Sequence, residues 1–307
     1  MDGLILIDKH QGATSHDIVA GIRKILGLQR VGHFGTLDPL ATGLLLLAVG
    51  KATKLFPYFS KENKFYSGQI RLGFSTATYD ACGKPTSEEK TSYPDRETLA
   101  AAMNSFVGKI EQVPPPYSAK KLEGKPLYKW ARAKKTILLK PSPVMVHSFD
   151  LKGYSPPYLD FESGCSSGTY IRSLAHDLGQ CLGCGAHLAK LRRVAVGGYK
   201  ISAAHSLEQV ARLAQEGKIT EFLLPLEALL QEFPKIILKE SGIQHVQKGT
   251  MLLTEHILKV LEPRPALRPA EKEQEEIYRL FSLEGKFLGL AKKSAGQKGP
   301  LPFLMLH

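Results

Sequence analysis

The sequence predicts an α/β (α+β) fold, with a large mixed, mainly antiparallel sheet and flanking helices, followed by a small β-rich C-terminal domain. Three observations carry this expectation. The aliphatic runs Leu4–Ile7 and Leu44–Val49 have the unbroken character of strands covered on both faces. Helical periodicities recur between strand-like segments through the first two thirds of the chain. From residue 233 onward the pattern turns β-rich, with glycine-containing turns. A length of 307 residues allows two domains at roughly 150 residues each, and the expected division is 1–232 and 233–307.

Each element has a local reason. After the strand at Leu4–Ile7, Thr14 and Ser15 offer N-caps, and Asp17 stands three residues after Thr14. Ile18, Ile22, Ile25 and Leu26 then share a helix face, and Gly27 supplies the stop. Leu44–Val49 and Phe65–Leu72 read as strands. A helix is expected over 95–106, where Leu99, Met103 and Phe106 recur on one side. Pro114, Pro115 and Pro116 form a rigid crossing. Pro126 suits the first position of another helix, with Leu127, Trp130 and Ala131 facing inward. Strands follow at Val144–Phe149 and Tyr158–Ser163, and helices over 169–180 and 206–215. The pattern lapses near Leu224–Pro234, and the charged, proline-containing stretch Pro263–Glu276 reads as an exposed loop.

Composition narrows the function. The longest aliphatic run has six residues, against about 20 for a membrane helix, so no transmembrane span is expected. The N-terminus lacks a basic region followed by a long apolar one, and four cysteines are too few for a disulfide framework. A cytoplasmic protein is the expectation. The net charge is +12, and it is clustered. Lys109–Lys140 carries nine basic residues and two acidic ones, and Leu178–Leu207 carries no acid at all. Tyr117, Tyr128, Trp130 and Tyr199 are interleaved with these charges, which fits a polyanion with stackable bases. No long basic amphipathic helix points to a membrane surface. A monomer without an obligatory protein partner is expected.

Three tempting motifs fail. Gly50-Lys51-Ala52-Thr53 lacks the first glycine of a phosphate loop, since position 45 is Leu. Gly164-Cys165-Ser166-Ser167-Gly168 matches GxSxG, but Leu159, Phe161 and Ser163 alternate with polar residues, unlike the apolar strand of a nucleophile elbow. Cys181 and Cys184, with His176 and His187 nearby, have no second ligand pair for zinc. No metal site is expected. The segment with chemical promise is 32–43, where Gly32, Gly35, Pro39 and Gly43 specify a tight loop feeding an aliphatic strand. Asp38 is therefore held on a rigid support, either as a catalytic carboxylate or in an Asx turn on its own backbone.

At this loop the chain resembles the TruB family of tRNA pseudouridine synthases. Gly32-His33 and Gly35-Thr36-Leu37-Asp38-Pro39-Leu40-Ala41-Thr42-Gly43 resemble the family's catalytic loop, and Gly3–Lys9 its N-terminal strand. Further matching blocks are Lys64-Phe65-Tyr66, Tyr117-Ser118-Ala119 with Lys121, Gly168-Thr169-Tyr170-Ile171-Arg172-Ser173-Leu174, Leu182–His187 and Leu191-Arg192-Arg193. They span about the first 200 residues, while the last 70 or so resemble a PUA-like RNA-binding domain only weakly. Phe34, Ala77, Lys129 and Ser167 depart from the family pattern.

The resemblance implies isomerisation of uridine 55 in the tRNA T-loop to pseudouridine by base flipping, with no cofactor. It implies Asp38 as the carboxylate that attacks C1′ or abstracts a sugar proton, and Arg172 as its partner. Tyr66 would stack on the base and help remove the C5 proton. His33, Tyr170, Lys9, Lys121, Arg132, Arg192 and Arg193 would contact the tRNA T-arm. Two other classes stay open on the sequence: a non-catalytic tRNA-binding module, and a serine hydrolase using Ser166.

Overall fold

The two aliphatic runs become adjacent strands at the middle of the molecule. The computed structural model describes residues 1–118, 121–122, 125–126, 139–231, 233–262 and 275–306. Its strands are β1 (Gly3–Lys9), β2 (Val31–His33), β3 (Thr42–Val49), β4 (Lys64–Leu72), β5 (Gly108–Gln112), β6 (Lys121–Leu122), β7 (Lys125–Pro126), β8 (Ser142–Ser155) and β9 (Tyr158–Cys165). They continue with β10 (Ala186–Val196), β11 (Tyr199–Lys200), β12 (Leu223–Pro225), β13 (Lys235–Leu238), β14 (Ile257–Leu261), β15 (Glu275–Phe281), β16 (Phe287–Ser294) and β17 (Leu301–Met305). The helices are α1 (Ser15–Leu26), the single turn α2 (Phe56–Phe59), α3 (Arg96–Asn104), α4 (Ile171–Cys181), α5 (Leu207–Gln215) and α6 (Glu240–Gln247).

The large sheet runs β12-β1-β3-β10-β4-β9-β8-β5, with β2 beside β3 and β11 beside β10. Its pairings are antiparallel except β3 with β10, which meet in parallel at Thr42–Arg192 and Gly43–Arg193. A second sheet, β14-β13-β15-β16-β17, forms the C-terminal unit. The α/β expectation, with a mixed sheet and a β-rich C-terminal part, is met.

Burial explains the sequence patterns. Ile5, Ile7, Leu45, Leu47 and Val49 face one core, with Ile18 and Ile22 of α1 and Val210 and Leu213 of α5. Leu4, Leu6, Leu44, Leu46 and Ala48 face a second core, shared with Phe281, Phe287, Leu290 and Leu306 of the C-terminal unit. Both faces of β1 and β3 are therefore covered, and alternation disappears. In β9 only one face is covered, so buried Leu159 and Phe161 alternate with exposed Tyr158, Asp160 and Glu162. Polar contacts seal the seam between the units. Lys54 Nζ donates to the Met305 carbonyl at 2.6 Å, and Arg279 donates to the Leu229 carbonyl at 3.3 Å.

Helix α1 begins and ends as its residues dictate. Thr14 and Asp17 form a reciprocal capping box, and Gly27 closes the helix at φ 64°. Outside the C-terminal unit, β2, β5, β6, β7, β11, β12 and above all β10 were not anticipated; Lys190, Arg192 and Arg193 mask the apolar positions of β10. Pro126 is no helix start. It pairs with Lys121 in a two-stranded hairpin, where a residue without an N–H is tolerated. The helix expected to continue through Leu127 and Trp130 lies outside the described residues. So does most of the loop expected at 263–276, except that Glu275 and Glu276 already belong to β15. Among the described residues, no helix is long and apolar enough to cross a membrane.

Candidate active site

The loop joining β2 to β3 is pinned at several points. Ser15 at the start of α1 accepts from the Leu37 N–H at 2.9 Å and donates to the Leu37 carbonyl at 3.2 Å. Backbone bonds add Gly12 N–H to Pro39 O at 2.8 Å and Ala41 N–H to Asp38 O at 3.1 Å. Gly43 has φ 99°, and a Cβ there would sit 2.4 Å from the Arg193 carbonyl. Only glycine lets β3 approach β10 this closely. A rigid seat for Asp38 follows from these residues.

The Asp38 carboxylate is turned to Arg172, one residue into α4. Arg172 Nη2 donates to Asp38 Oδ1 at 3.1 Å, and Arg172 Nε lies 2.9 Å from Asp38 Oδ2. The same guanidinium donates to the carbonyls of Thr78 (3.1 Å) and Tyr117 (2.9 Å). Asp80 Oδ2 stands 3.6 Å from Arg172 Nη1, while Asp80 Oδ1 accepts from the Thr78 hydroxyl and the Cys82 N–H. Arg172 is 6% exposed, whereas 40% of the Asp38 side chain stays open to solvent. A substrate can reach the carboxylate, but not the arginine behind it. Burial raises the Asp38 carboxyl above the ordinary carboxylate value. Arg172 pulls it back down, and Asp80 adds to the rise. Asp80 was not singled out in the sequence, because its meaning depends on Arg172, 92 positions later.

Tyr66 lies on the inner face of β4 beside the main core, 8% exposed. Burial pushes its phenol up to about 12, and Arg193 opposes the shift through charge and a hydrogen bond. The phenol is therefore protonated at neutral pH. His33, half-buried at the end of β2, meets His16 edge-on at 5.5 Å. Burial first, and then the charges of His16 and Arg193, hold its imidazole down to about 4. It is neutral in the resting site, with Nδ1 lacking a hydrogen-bond partner. Tyr170 caps the start of α4, and its backbone is clasped by Gln112 at 2.8 and 3.1 Å. Its half-buried phenol is also raised, mainly by burial.

The basic residues expected on tRNA divide. Arg192 is 41% exposed and forks onto Asp8 at 3.0 and 2.7 Å. It bounds two open clefts of about 510 and 580 Å³ that also share Gln11 and Thr42. Lys9 and Arg193 do not face outward. Their exposures are 0% and 1%, and their donors are spent on backbone carbonyls, so a direct phosphate contact is sterically closed. The resemblance that suggested these two as RNA contacts carries no information that the strands turn them inward. Lys121 lies in the short hairpin, its side chain outside the described set, and Arg132 lies outside the described residues.

The rejected motifs are engaged elsewhere. Ser166 Oγ accepts from the Met145 N–H at 2.9 Å, and the Ser166 N–H donates to Met145 O at 2.8 Å, a cross-strand contact that extends the β8–β9 pairing beyond Val146 and Cys165. His176 stacks on Tyr79 at 3.8 Å, and the His187 ring bonds the Phe74 carbonyl.

Comparison with known proteins fits this geometry. Residues 23–171 match the TruB family pseudouridylate synthase N-terminal domain, and residues 172–231 match the tRNA pseudouridylate synthase B C-terminal domain. A tRNA pseudouridine synthase B of Solibacter usitatus is 43% identical over 81% of this chain and 85% of its own. The chain belongs to the TruB family. Its activity is the isomerisation of a tRNA uridine to pseudouridine. The tRNA pseudouridine synthase B of Geotalea uraniireducens is 39% identical over 95% of this chain and 92% of that protein. The crystal structure of a Cbf5-Nop10-Gar1 complex contains a chain 26% identical, with a TM-score of 0.74, covering 99% of this chain and 84% of that one. TruB membership thus extends to a shared fold across almost the whole length.

Proposed function

We propose that this TruB-family enzyme converts uridine 55 of the tRNA T-loop, using Asp38 as its essential carboxylate on a flipped-out nucleotide. The observation that carries the reading is the Asp38–Arg172 pair, an open carboxylate locked by a buried guanidinium on a pinned loop. Substrate and product are isomers, so the chemistry needs no redox partner and no group donor. The C1′–N1 bond breaks, the base turns, and C5 joins C1′. Asp38 acts by attack on C1′ or by taking a sugar proton.

Tyr66 stacks on the extruded base. Forming its phenolate at pH 7 would cost about 7 kcal/mol from a pKa of about 12. Its oxygen therefore accepts the C5 proton only in concert with passing its own proton on. His33, neutral, contacts the unpaired loop, and so does Tyr170, which lies close enough to feel the charges of Arg172 and Asp38. Arg192, with Lys121 and Arg132, meets the RNA backbone. Residues 1–232 form the catalytic unit and 233–307 the RNA-binding unit, a division supported by two separate sheets. Flipping costs a few kcal/mol, less in a loop than in a duplex.

The test is to map pseudouridine in an unmodified tRNA after treatment, by carbodiimide labelling and primer extension. One stop at the T-loop uridine is expected, and conversion confined to other positions would refute the assignment.

A further inference from the structure

Three buried cations flank the Asp38 loop, and among the described residues none of them forms a direct ion pair with a carboxylate. Lys9, Arg193 and Lys64 are 0%, 1% and 6% exposed. Lys9 Nζ donates to the carbonyls of His10 (3.0 Å) and Ala13 (2.8 Å). Lys64 Nζ donates to those of Ser60 (2.8 Å) and Glu62 (2.6 Å). Arg193 donates to Leu44 O at 2.8 Å, Gly35 O at 3.0 Å and Thr36 O at 3.4 Å, and hydrogen-bonds the Tyr66 phenol. All three thus spend their bonds on neutral partners.

This arrangement is costly. Burial, with the charge of Arg193, holds both lysines down to about 8, although the charge of Asp38 pulls Lys9 back up. Burying an ion without a directly bonded counterion costs several kcal/mol, and a neutral amide could have served the same carbonyls. Counted with buried Arg172 and Asp80 and the half-open Asp38, the side chains around the loop hold four cations against two carboxylates. A surplus of two positive charges lies behind the reacting group.

The reaction supplies a negative charge to match. When C1′–N1 breaks, the electron pair leaves on N1 and the base becomes a uracil anion. If Asp38 bonds to C1′, its charge passes to the base as the ester forms. If Asp38 takes the C2′ proton, its charge is likewise replaced by one on the base. The anion then turns, C5 bonds to C1′, Asp38 is released or returns its proton, and the C5 proton is lost as N1 gains one.

We propose that Lys9, Lys64 and Arg193 form a buried electropositive seat that stabilises the uracil anion while it is detached. The three do not touch the base. They act through the field of a water-poor site, where fixed charge is far more effective than in solvent. The inference rests on the proposed function, because it assigns a role within that same reaction.

The test compares leaving bases. Single-turnover rates are measured for the full chain on T-arm RNA carrying either uridine or 5-fluorouridine at the target, by digestion to nucleosides and chromatographic separation of the unreacted nucleoside from its isomer. Fluorine stabilises the base anion, so a less positive site should matter less. Lys64→Met is expected to slow uridine about 100-fold but 5-fluorouridine only about tenfold. Lys64→Arg, which keeps the charge, should stay within about threefold on both. Equal slowing of both substrates by Lys64→Met, or no slowing, would overturn the proposal. If Lys64→Met does not fold by circular dichroism, Lys9→Met carries the same comparison and the same criteria. A wild-type enzyme that leaves T-loop uridine unchanged would instead refute the proposed function.

Discussion

Replacing Arg172 with lysine isolates the contribution of guanidinium geometry. The native group reaches Asp38 from Nε and Nη2 while also holding the Thr78 and Tyr117 carbonyls, with Asp80 at 3.6 Å. A lysine ammonium is one point with three donors, so it keeps the charge but loses about two of these directed contacts. Charge-assisted hydrogen bonds contribute roughly 1.5–3 kcal/mol each, so about 4 kcal/mol is at stake. If that loss falls on the transition state, kcat drops on the order of 10³-fold. RNA affinity should change no more than a few-fold, because Arg172 is buried behind Asp38. The assay is single-turnover pseudouridine formation at saturating enzyme, with filter binding and a thermal melt in parallel. Arg172→Lys retaining more than about a tenth of wild-type kcat, with its fold intact, would refute the claim that directed contacts hold Asp38 in its working position.

Other expectations follow from the same geometry. Asp80→Asn should slow the reaction by about 10–100-fold, since it removes the second carboxylate from Arg172. The acid limb of kcat/KM should lie above the ordinary aspartate value of about 3.9, because burial disfavours ionised Asp38, and activity is lost as pH falls through that raised value. The same limb should move to lower pH in Asp80→Asn, whose lost charge had been raising Asp38; an unmoved limb in a pH–rate profile would remove Asp38 as its source. Ser166→Ala should leave turnover within about threefold, since Ser166 only extends the β8–β9 pairing to Met145. Loss of activity in that variant, with an unchanged melt, would revive the hydrolase reading.

Much of this architecture was legible because burial writes directly into sequence. The runs at Leu4–Ile7 and Leu44–Val49 are unbroken since two cores cover the opposite faces of β1 and β3. Thr14, Asp17 and Gly27 announce α1 through caps that depend only on neighbours. Strand β10 was hidden because Arg193, a core position, carries a charge. Burial of a cation follows from the carbonyls of Gly35, Thr36 and Leu44, about 150 residues away, which no local pattern encodes. For the same reason Lys9 and Arg193 read as RNA contacts. Asp80 stayed anonymous until α4 brought Arg172 to it. Asp38 itself was singled out by its glycine-rich loop, but only the Arg172 contact distinguishes a held carboxylate from an Asx turn.

The central claim is that one carboxylate, Asp38, drives the isomerisation. Its most direct test is tritium release from tRNA labelled at C5 of uridine, measured for wild type and Asp38→Asn, with tRNA binding followed alongside. The substitution keeps the shape of the side chain and removes its charge. The account predicts release from the wild type and none above about 1% of that rate from the variant, with binding within about tenfold, or roughly 1.4 kcal/mol. Release by Asp38→Asn above a few per cent of wild type would contradict it.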